Sequence, residues 1–109
     1  MRMRRRVALI AFVIVGAAGL VVTASQKITS YSPPNGFVPD ERTATRIAEA
    51  VWIPIWGEQS VLGEKPFVAT LKGDTWTVRG TLKPAVFGGV AEAEISKRDG
   101  RILRVAHGQ

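Results

Sequence analysis

The 109-residue chain contains no cysteine and a single histidine. Disulfide bonds, thiolate catalysis, zinc–thiolate sites and lipid attachment to a cysteine are therefore excluded. One histidine with scattered carboxylates does not make a ligand set for zinc, and we expect neither a metal ion nor another cofactor. Fold stability must come from packing alone, and the length allows one domain.

Groups for nucleophilic catalysis are also scarce. A serine–histidine–aspartate arrangement would need His107, and no serine stands in the pattern of a nucleophile elbow. Gly88-Gly89 lacks the lysine of a phosphate-binding loop and precedes a strand, which favours a turn or bulge. We therefore expect no enzymatic activity.

The net charge of +6 is concentrated at the N-terminus. No acidic residue precedes Asp40, and four of the fifteen basic residues are Arg2, Arg4, Arg5 and Arg6. Residues 25–109 carry eleven basic and nine acidic side chains, which leaves a net charge of about +2. Because nucleic-acid binding requires a strongly basic surface, this nearly neutral remainder argues against a nucleic-acid partner.

Residues 7–22 form an uncharged apolar run directly after the arginines. The run is long for a signal-peptide core and short for a transmembrane helix, and Val22-Thr23-Ala24 fits a cleavage site before Ser25. Residues 1–24 are predicted to be a signal peptide or an N-terminal membrane anchor, and both alternatives stay open. If uncleaved, residues 7–22 would hold the protein in the inner membrane with its N-terminus in the cytoplasm. Either way we expect the remainder to be exported, to the periplasm or another extracytoplasmic location.

Residues 25–38 are predicted to be a flexible linker, because they contain adjacent prolines and Asn35-Gly36 without any hydrophobic period. Residues 39–109 are predicted to form one compact α+β domain. Asp40 is a candidate helix cap, and Gly57 is a plausible stop. Apolar residues then recur at helical spacing, at Ala44, Ile47, Ala48, Val51, Trp52 and Ile55. Trp56, one turn after Trp52, is either a core-edge residue or an exposed partner contact.

Four alternating segments follow the helix and predict two antiparallel hairpins. The first hairpin turns at Gly73-Asp74, and the second at Arg98-Asp99-Gly100. The second turn predicts Ile95 opposite Leu103, Ala93 opposite Val105 and Glu94 opposite Arg104, with His107 near Ala91. The predicted fold is one N-terminal helix packed on a curved four-stranded antiparallel meander, a cystatin-like cone with bends at Gly80 and Gly88-Gly89.

Several segments resemble a known family. They are VPDERTATRIAEAVWIPIWGE, KPFVATLKGDTWTVRGTL and GGVAEAEISKRDGRILRVAHGQ, which together span most of residues 38–109. The sequence resembles a small, single-helix variant of the nuclear-transport-factor-two-like fold immunity proteins of bacterial polymorphic toxin systems. The last segment is also similar to helix-plus-hairpin periplasmic modules of the peptidase-propeptide type. The first resemblance implies a protein that binds and neutralises a toxin.

We interpret the chain as an exported, non-enzymatic binding protein whose partner is a protein, possibly a toxin. Candidate contact residues are Arg79, Glu92, Glu94 and Arg104 on the solvent-facing side of the sheet, and Trp56 and His107 at its ends. Two alternatives stay open: an envelope-accessory interaction domain, and a small-ligand binder that uses the cone interior. Side chains of Trp52, Trp76 and Phe67 filling that interior would count against the ligand binder.

Overall fold

The computed structural model describes residues 27–84 and 87–108. The predicted signal peptide or anchor, residues 1–24, lies outside these ranges. Contacts divide the chain into two units, Met1–Tyr31 and Ser32–Gln109. In the first unit, residues 27–31 are exposed and have no regular secondary structure. None of the helices within the described ranges combines the length and the apolar character needed to cross a membrane.

The described residues of the second unit form two helices followed by four strands. The helices are α1 (Glu41–Trp56) and the short α2 (Glu58–Leu62), and the strands are β1 (Val68–Lys72), β2 (Thr75–Arg79), β3 (Ala91–Ser96) and β4 (Ile102–His107). The strands form one antiparallel sheet in the order β1-β2-β3-β4. The predicted α+β architecture is confirmed, with α2 as an addition that the sequence analysis did not include.

Helix α1 begins and ends where the local chemistry of the sequence indicates. The Asp40 carboxylate accepts a hydrogen bond from the Thr43 N–H at 2.8 Å, which satisfies one of the free donors of the first turn. At the other end Gly57 adopts a positive φ of 93°, a conformation that glycine reaches without steric cost. Its N–H donates to the Ile53 carbonyl at 2.8 Å and closes the last turn.

The core lies between α1 and one face of the sheet. Trp52 is fully buried, and its ring meets the Phe67 ring edge-on with the centroids 5.2 Å apart. Trp76 is 5% exposed, and its Nε1–H donates to the Val38 carbonyl at 2.8 Å. The aliphatic part of the core is small, with the buried residues Val38, Ala44, Ala48, Val61, Ala69, Val78, Ala91, Ala93 and Ile95. Aromatic side chains therefore supply much of the buried apolar surface.

The β3–β4 hairpin confirms two of the predicted pairs and corrects the third. Ala93 lies opposite Val105 and Glu94 opposite Arg104, as the facing of the side chains predicts. The predicted pair of Ile95 with Leu103 is wrong, because Ile95 lies opposite Ile102. A bulge makes Leu103 an extra residue of β4, and its side chain is 42% exposed.

Residues 35–38, at the end of the predicted linker, lie against the turn between β3 and β4. The Phe37 and Val38 N–H groups donate to the carbonyls of Arg98 and Lys97, both at 3.0 Å. Val38 is fully buried. These contacts place the chain just before α1 across one end of the sheet.

Candidate functional site

Four of the predicted contact residues form one group on the sheet face that points away from α1. We call Arg79, Glu92, Glu94 and Arg104 the outer-face cluster. The strand register brings them together, because Arg79 lies opposite Glu92 and Glu94 lies opposite Arg104. Helix α1 contacts β3 on the other face of the sheet, where the Trp52 Nε1–H donates to the Glu92 carbonyl at 3.4 Å.

Ion pairs connect all members of the outer-face cluster. Arg104 Nη2 lies 3.2 Å from Glu94 Oε2 and donates a short hydrogen bond to Glu92 Oε2. Arg79 Nε lies 3.8 Å from the other oxygen of Glu92. The carboxylates of Glu94 and Glu92 raise the pKa of Arg104 above its ordinary value, so the guanidinium stays charged. Both carboxylates are engaged with arginines, which favours a recognition surface over a free carboxylate pair.

The outer-face cluster is accessible to a protein partner. The side chains of Arg79 and Arg104 are 60% and 45% exposed, so each guanidinium has donors available to solvent. Thr70 and Thr77 are paired in the adjoining strands and lie on the same face. Exposed guanidinium and hydroxyl groups on a sheet surface can hydrogen-bond the carboxylates and carbonyls of a partner.

The other two predicted contact residues meet at the end of the sheet with a third residue that the sequence analysis missed. We call Trp56, Glu64 and His107 the sheet-end cluster. The Trp56 and His107 rings meet edge-on, with centroids 5.1 Å apart. His107 Nε2 lies 3.1 Å from Glu64 Oε2, and the other oxygen of Glu64 accepts the Ala91 N–H at 2.8 Å.

Hydrogen-bond acceptors flank both ring nitrogens of His107. Nδ1 lies 3.0 Å from the Gly108 carbonyl oxygen, on the opposite side of the ring from Glu64. The Gly108 carbonyl raises the pKa of His107 above its ordinary value, partial burial opposes that rise, and Glu64 adds to it. A neutral imidazole has only one N–H and would satisfy only one of the two oxygens, so this geometry favours the imidazolium.

The sheet-end cluster lies in an open cleft of about 540 Å³. The cleft is also lined by Leu82, Lys83 and Phe87, and the Phe87 side chain is 95% exposed. Between α1 and the sheet, by contrast, the space is filled by Trp52, Trp76 and Phe67. The structure thus places open volume at the sheet end and aromatic side chains in the interior, which argues against a small ligand enclosed in the core.

Comparison with known proteins identifies the family. The family described as NTF2 fold immunity protein matches residues 43–109. The chain belongs to this family. Two curated relatives from Escherichia coli (strain K12) are also similar to it, the uncharacterized proteins YhhH and YbbC. YhhH is 36% identical over 73 residues, which cover 66% of this chain and 58% of YhhH.

YbbC is 36% identical over 81 residues, which cover 73% of this chain and 66% of YbbC. The chain thus spans less than two thirds of the length of either relative. No solved structure matches the chain. Every residue of the outer-face cluster and of the sheet-end cluster lies within residues 43–109, the region that the family match covers.

Glu64 is the residue of this immunity-family chain that sequence reasoning did not find. It follows a short helix and contacts His107 from 43 positions away, so no local pattern marks it. One indirect signal is Gly80, which the sequence analysis interpreted as a bend. A Cβ at Gly80 would lie 2.8 Å from the Glu64 Cβ, so the absent side chain makes room for the carboxylate.

Proposed function

We propose that this chain is an exported immunity protein that binds a protein toxin and inhibits it by covering its active site. The observation that carries the proposal is membership of the NTF2 fold immunity protein family over residues 43–109. Both clusters lie in the region that defines the family, and one of them forms an exposed polar face. The protein acts by binding and performs no chemical step on its partner.

The outer-face cluster is the proposed contact surface. Its arginines are held by the carboxylates of Glu92 and Glu94, so less side-chain freedom is lost when a partner binds. Charged side chains at an interface accelerate encounter and select the orientation of the partner more than they add affinity. A toxin surface with its own carboxylates would exchange ion pairs with Arg79 and Arg104.

The export part of the proposal rests on the N-terminal sequence. Four arginines followed by the uncharged residues 7–22 form the pattern of a signal peptide or a membrane anchor. An immunity protein has to be present where its toxin acts, because inhibition by covering requires direct contact. The proposed toxin therefore acts outside the cytoplasm.

A competition experiment in the native bacterium tests the proposal. The gene is deleted, and the deletion strain is grown in contact with its parent, which still produces the toxin. We expect the deletion strain to lose this competition and the full chain, supplied in trans, to restore its survival. A chain without residues 1–24, produced at the same level, should not restore survival.

The outcomes separate the two parts of the proposal. Equal survival of the deletion strain and the parent contradicts the inhibitor role. Rescue by the chain without residues 1–24 contradicts export while it supports inhibition. Arg46→Glu provides a matched control for charge changes, since Arg46 is exposed on α1 and lies away from the outer sheet face.

A further inference from the structure

The two edges of the sheet differ in how they are protected against pairing with another strand. Unpaired edge strands offer free N–H and C=O groups, and soluble proteins protect them with bulges, prolines or charges. Strand β4 has such protection, because it contains the bulge at Leu103 and the charged Arg104 beside it. Strand β1 forms the opposite edge of the sheet.

Strand β1 is less protected than β4, because only one of these features, a charged residue, occurs within its five residues. Its pairing with β2 is continuous from Val68 to Lys72, so no bulge interrupts it. It contains no proline, and its charged residue, Lys72, stands at the end. Two of its apolar side chains are exposed, Val68 to 55% and Leu71 to 42%. Such an edge can accept another strand.

Helix α1 does not cover this edge. An open groove of about 410 Å³ lies beside β1, between the first turns of α1 and the start of the strand. The groove is lined by Glu41, Arg42, Thr45, Phe67, Val68 and Ala69. Among the described residues, β1 pairs with β2 and with no other strand. Open space is therefore present beside the first residues of β1.

The sequence of β1 is complementary to itself in the antiparallel direction. A two-fold axis at Thr70 would place Val68 opposite Lys72 of a second copy, and Ala69 opposite Leu71. Each pair has matching faces, because paired residues in an antiparallel sheet point to the same side. No like charges meet, and all five residues take part. Leu71, which is exposed at the edge, would be covered by Ala69 of the other copy.

The geometry points to a dimer in which β1 of one chain pairs with β1 of a second copy about Thr70, so that two four-stranded sheets become one. An interface of one strand pair is small, and interfaces of this size are typically weak and concentration-dependent. The outer-face clusters of both copies would lie on the same face of the joined sheet. This inference does not depend on the proposed function.

Disulfide crosslinking tests the dimer in the full chain, which contains no native cysteine. Directly opposite residues in an antiparallel pair have Cα atoms about 4.5–5.5 Å apart, within the range that a disulfide spans. Thr70→Cys is therefore expected to give a covalent dimer when a mild oxidant is added to intact cells. Thr77→Cys is the matched control, because Thr77 lies opposite Thr70 on the next strand inward. Two such control thiols would be about 14 Å apart in the dimer.

A mixed experiment checks the register. Val68→Cys and Lys72→Cys chains with different tags, produced together, should form a mixed disulfide, whereas neither alone should crosslink to itself. Adding Leu71→Lys to Thr70→Cys should lower the crosslinked fraction about tenfold, since a charge replaces the apolar contact. Ile55 is an exposed apolar residue on α1, and Ile55→Lys should leave the crosslinked fraction unchanged.

Three results would overturn the dimer. The first is no crosslink from Thr70→Cys, the second is equal crosslinking from Thr77→Cys, and the third is a Thr70→Cys disulfide to a different protein. The last result would mean that β1 pairs with a strand of another partner.

Discussion

His107 Nε2 lies 3.1 Å from Glu64 Oε2, although 43 positions separate the two residues. The contact joins the end of β4 to the segment that follows α2. The same carboxylate accepts the Ala91 N–H at the start of β3, so one side chain fixes two strand ends. Since the other nitrogen of His107 faces the Gly108 carbonyl, protonation of the imidazole completes the hydrogen bonding at this end of the sheet.

Stability should therefore depend on pH near neutrality. The pKa of His107 is raised by the Gly108 carbonyl and by Glu64, against partial burial, so the native state binds this proton more tightly than the unfolded state. That contribution is complete below the unfolded pKa of 6.5 and is lost as the pH rises through the higher folded-state pKa. We expect the free energy of unfolding to fall as the pH rises above 6.5. Urea unfolding followed by tryptophan fluorescence measures it.

His107→Gln is the control for this pH dependence. Glutamine does not titrate, so the free energy of unfolding of this variant should be nearly constant over the same range. The lowered pKa values of Asp40 and Asp99 act only in acid and leave this window unaffected. A native protein as insensitive to pH as the variant would show that the His107–Glu64 contact is not an ion pair.

Gly80→Ala should destabilise the protein by disturbing Glu64. The added Cβ would collide with Oε1 of Glu64 and would lie 2.8 Å from the Glu64 Cβ, which is closer than two non-bonded carbon atoms can approach. Overpacking of this kind costs about 1–3 kcal/mol. The same substitution in a Glu64→Gly background is the matched control and should cost less, because both the colliding carboxylate and the Cβ of residue 64 are gone. An equal cost in both backgrounds would assign the effect to the backbone of Gly80 instead.

The parts of the fold that the sequence predicted correctly depend on local patterns. The Asp40 cap, the apolar spacing through Trp52 and the β1–β2 hairpin each follow from residues a few positions apart. The pairs of Ala93 with Val105 and of Glu94 with Arg104 also followed, since alternation and the turn together define the register. The second of these pairs places Glu94 and Arg104 of the outer-face cluster directly opposite each other.

The parts that the sequence did not predict depend on contacts between distant segments. The bulge at Leu103 shifts one end of β4, and alternation over only a few residues cannot locate such an insertion. Glu64 follows a short helix, and only the folded sheet brings it to His107. Val38 likewise becomes a core residue because the Trp76 indole and the β3–β4 turn bind its backbone.

Trp76→Phe tests the hydrogen bond that holds the segment before α1. The Trp76 Nε1–H donates to the Val38 carbonyl at 2.8 Å in a buried position. Phenylalanine has no donor and would leave that carbonyl without its partner, at a cost of about 1–3 kcal/mol in the free energy of unfolding. Chemical denaturation measures the loss.

Trp56→Phe is the comparison for this substitution. Trp56 is half-buried, and a phenyl ring can keep the edge-on contact with His107, so a smaller loss is expected. Equal losses at Trp56 and Trp76 would indicate that the size of the indole ring, and not the Val38 hydrogen bond, determines the effect.

Arg104→Glu should abolish protection against the toxin while the domain stays folded. The substitution places a third carboxylate beside Glu92 and Glu94 and removes the cation that both of them contact. Arg104 is 45% exposed and lies on an edge strand, so the apolar core is unaffected. The competition assay measures protection, and circular dichroism with urea unfolding measures the fold.

Arg46→Glu makes the same charge change on α1 and should protect as well as the native chain. If Arg104→Glu protects fully, the toxin contacts another surface, and the sheet-end cluster becomes the next site to substitute. If Arg104→Glu unfolds the domain, the outer-face ion pairs serve stability and not recognition.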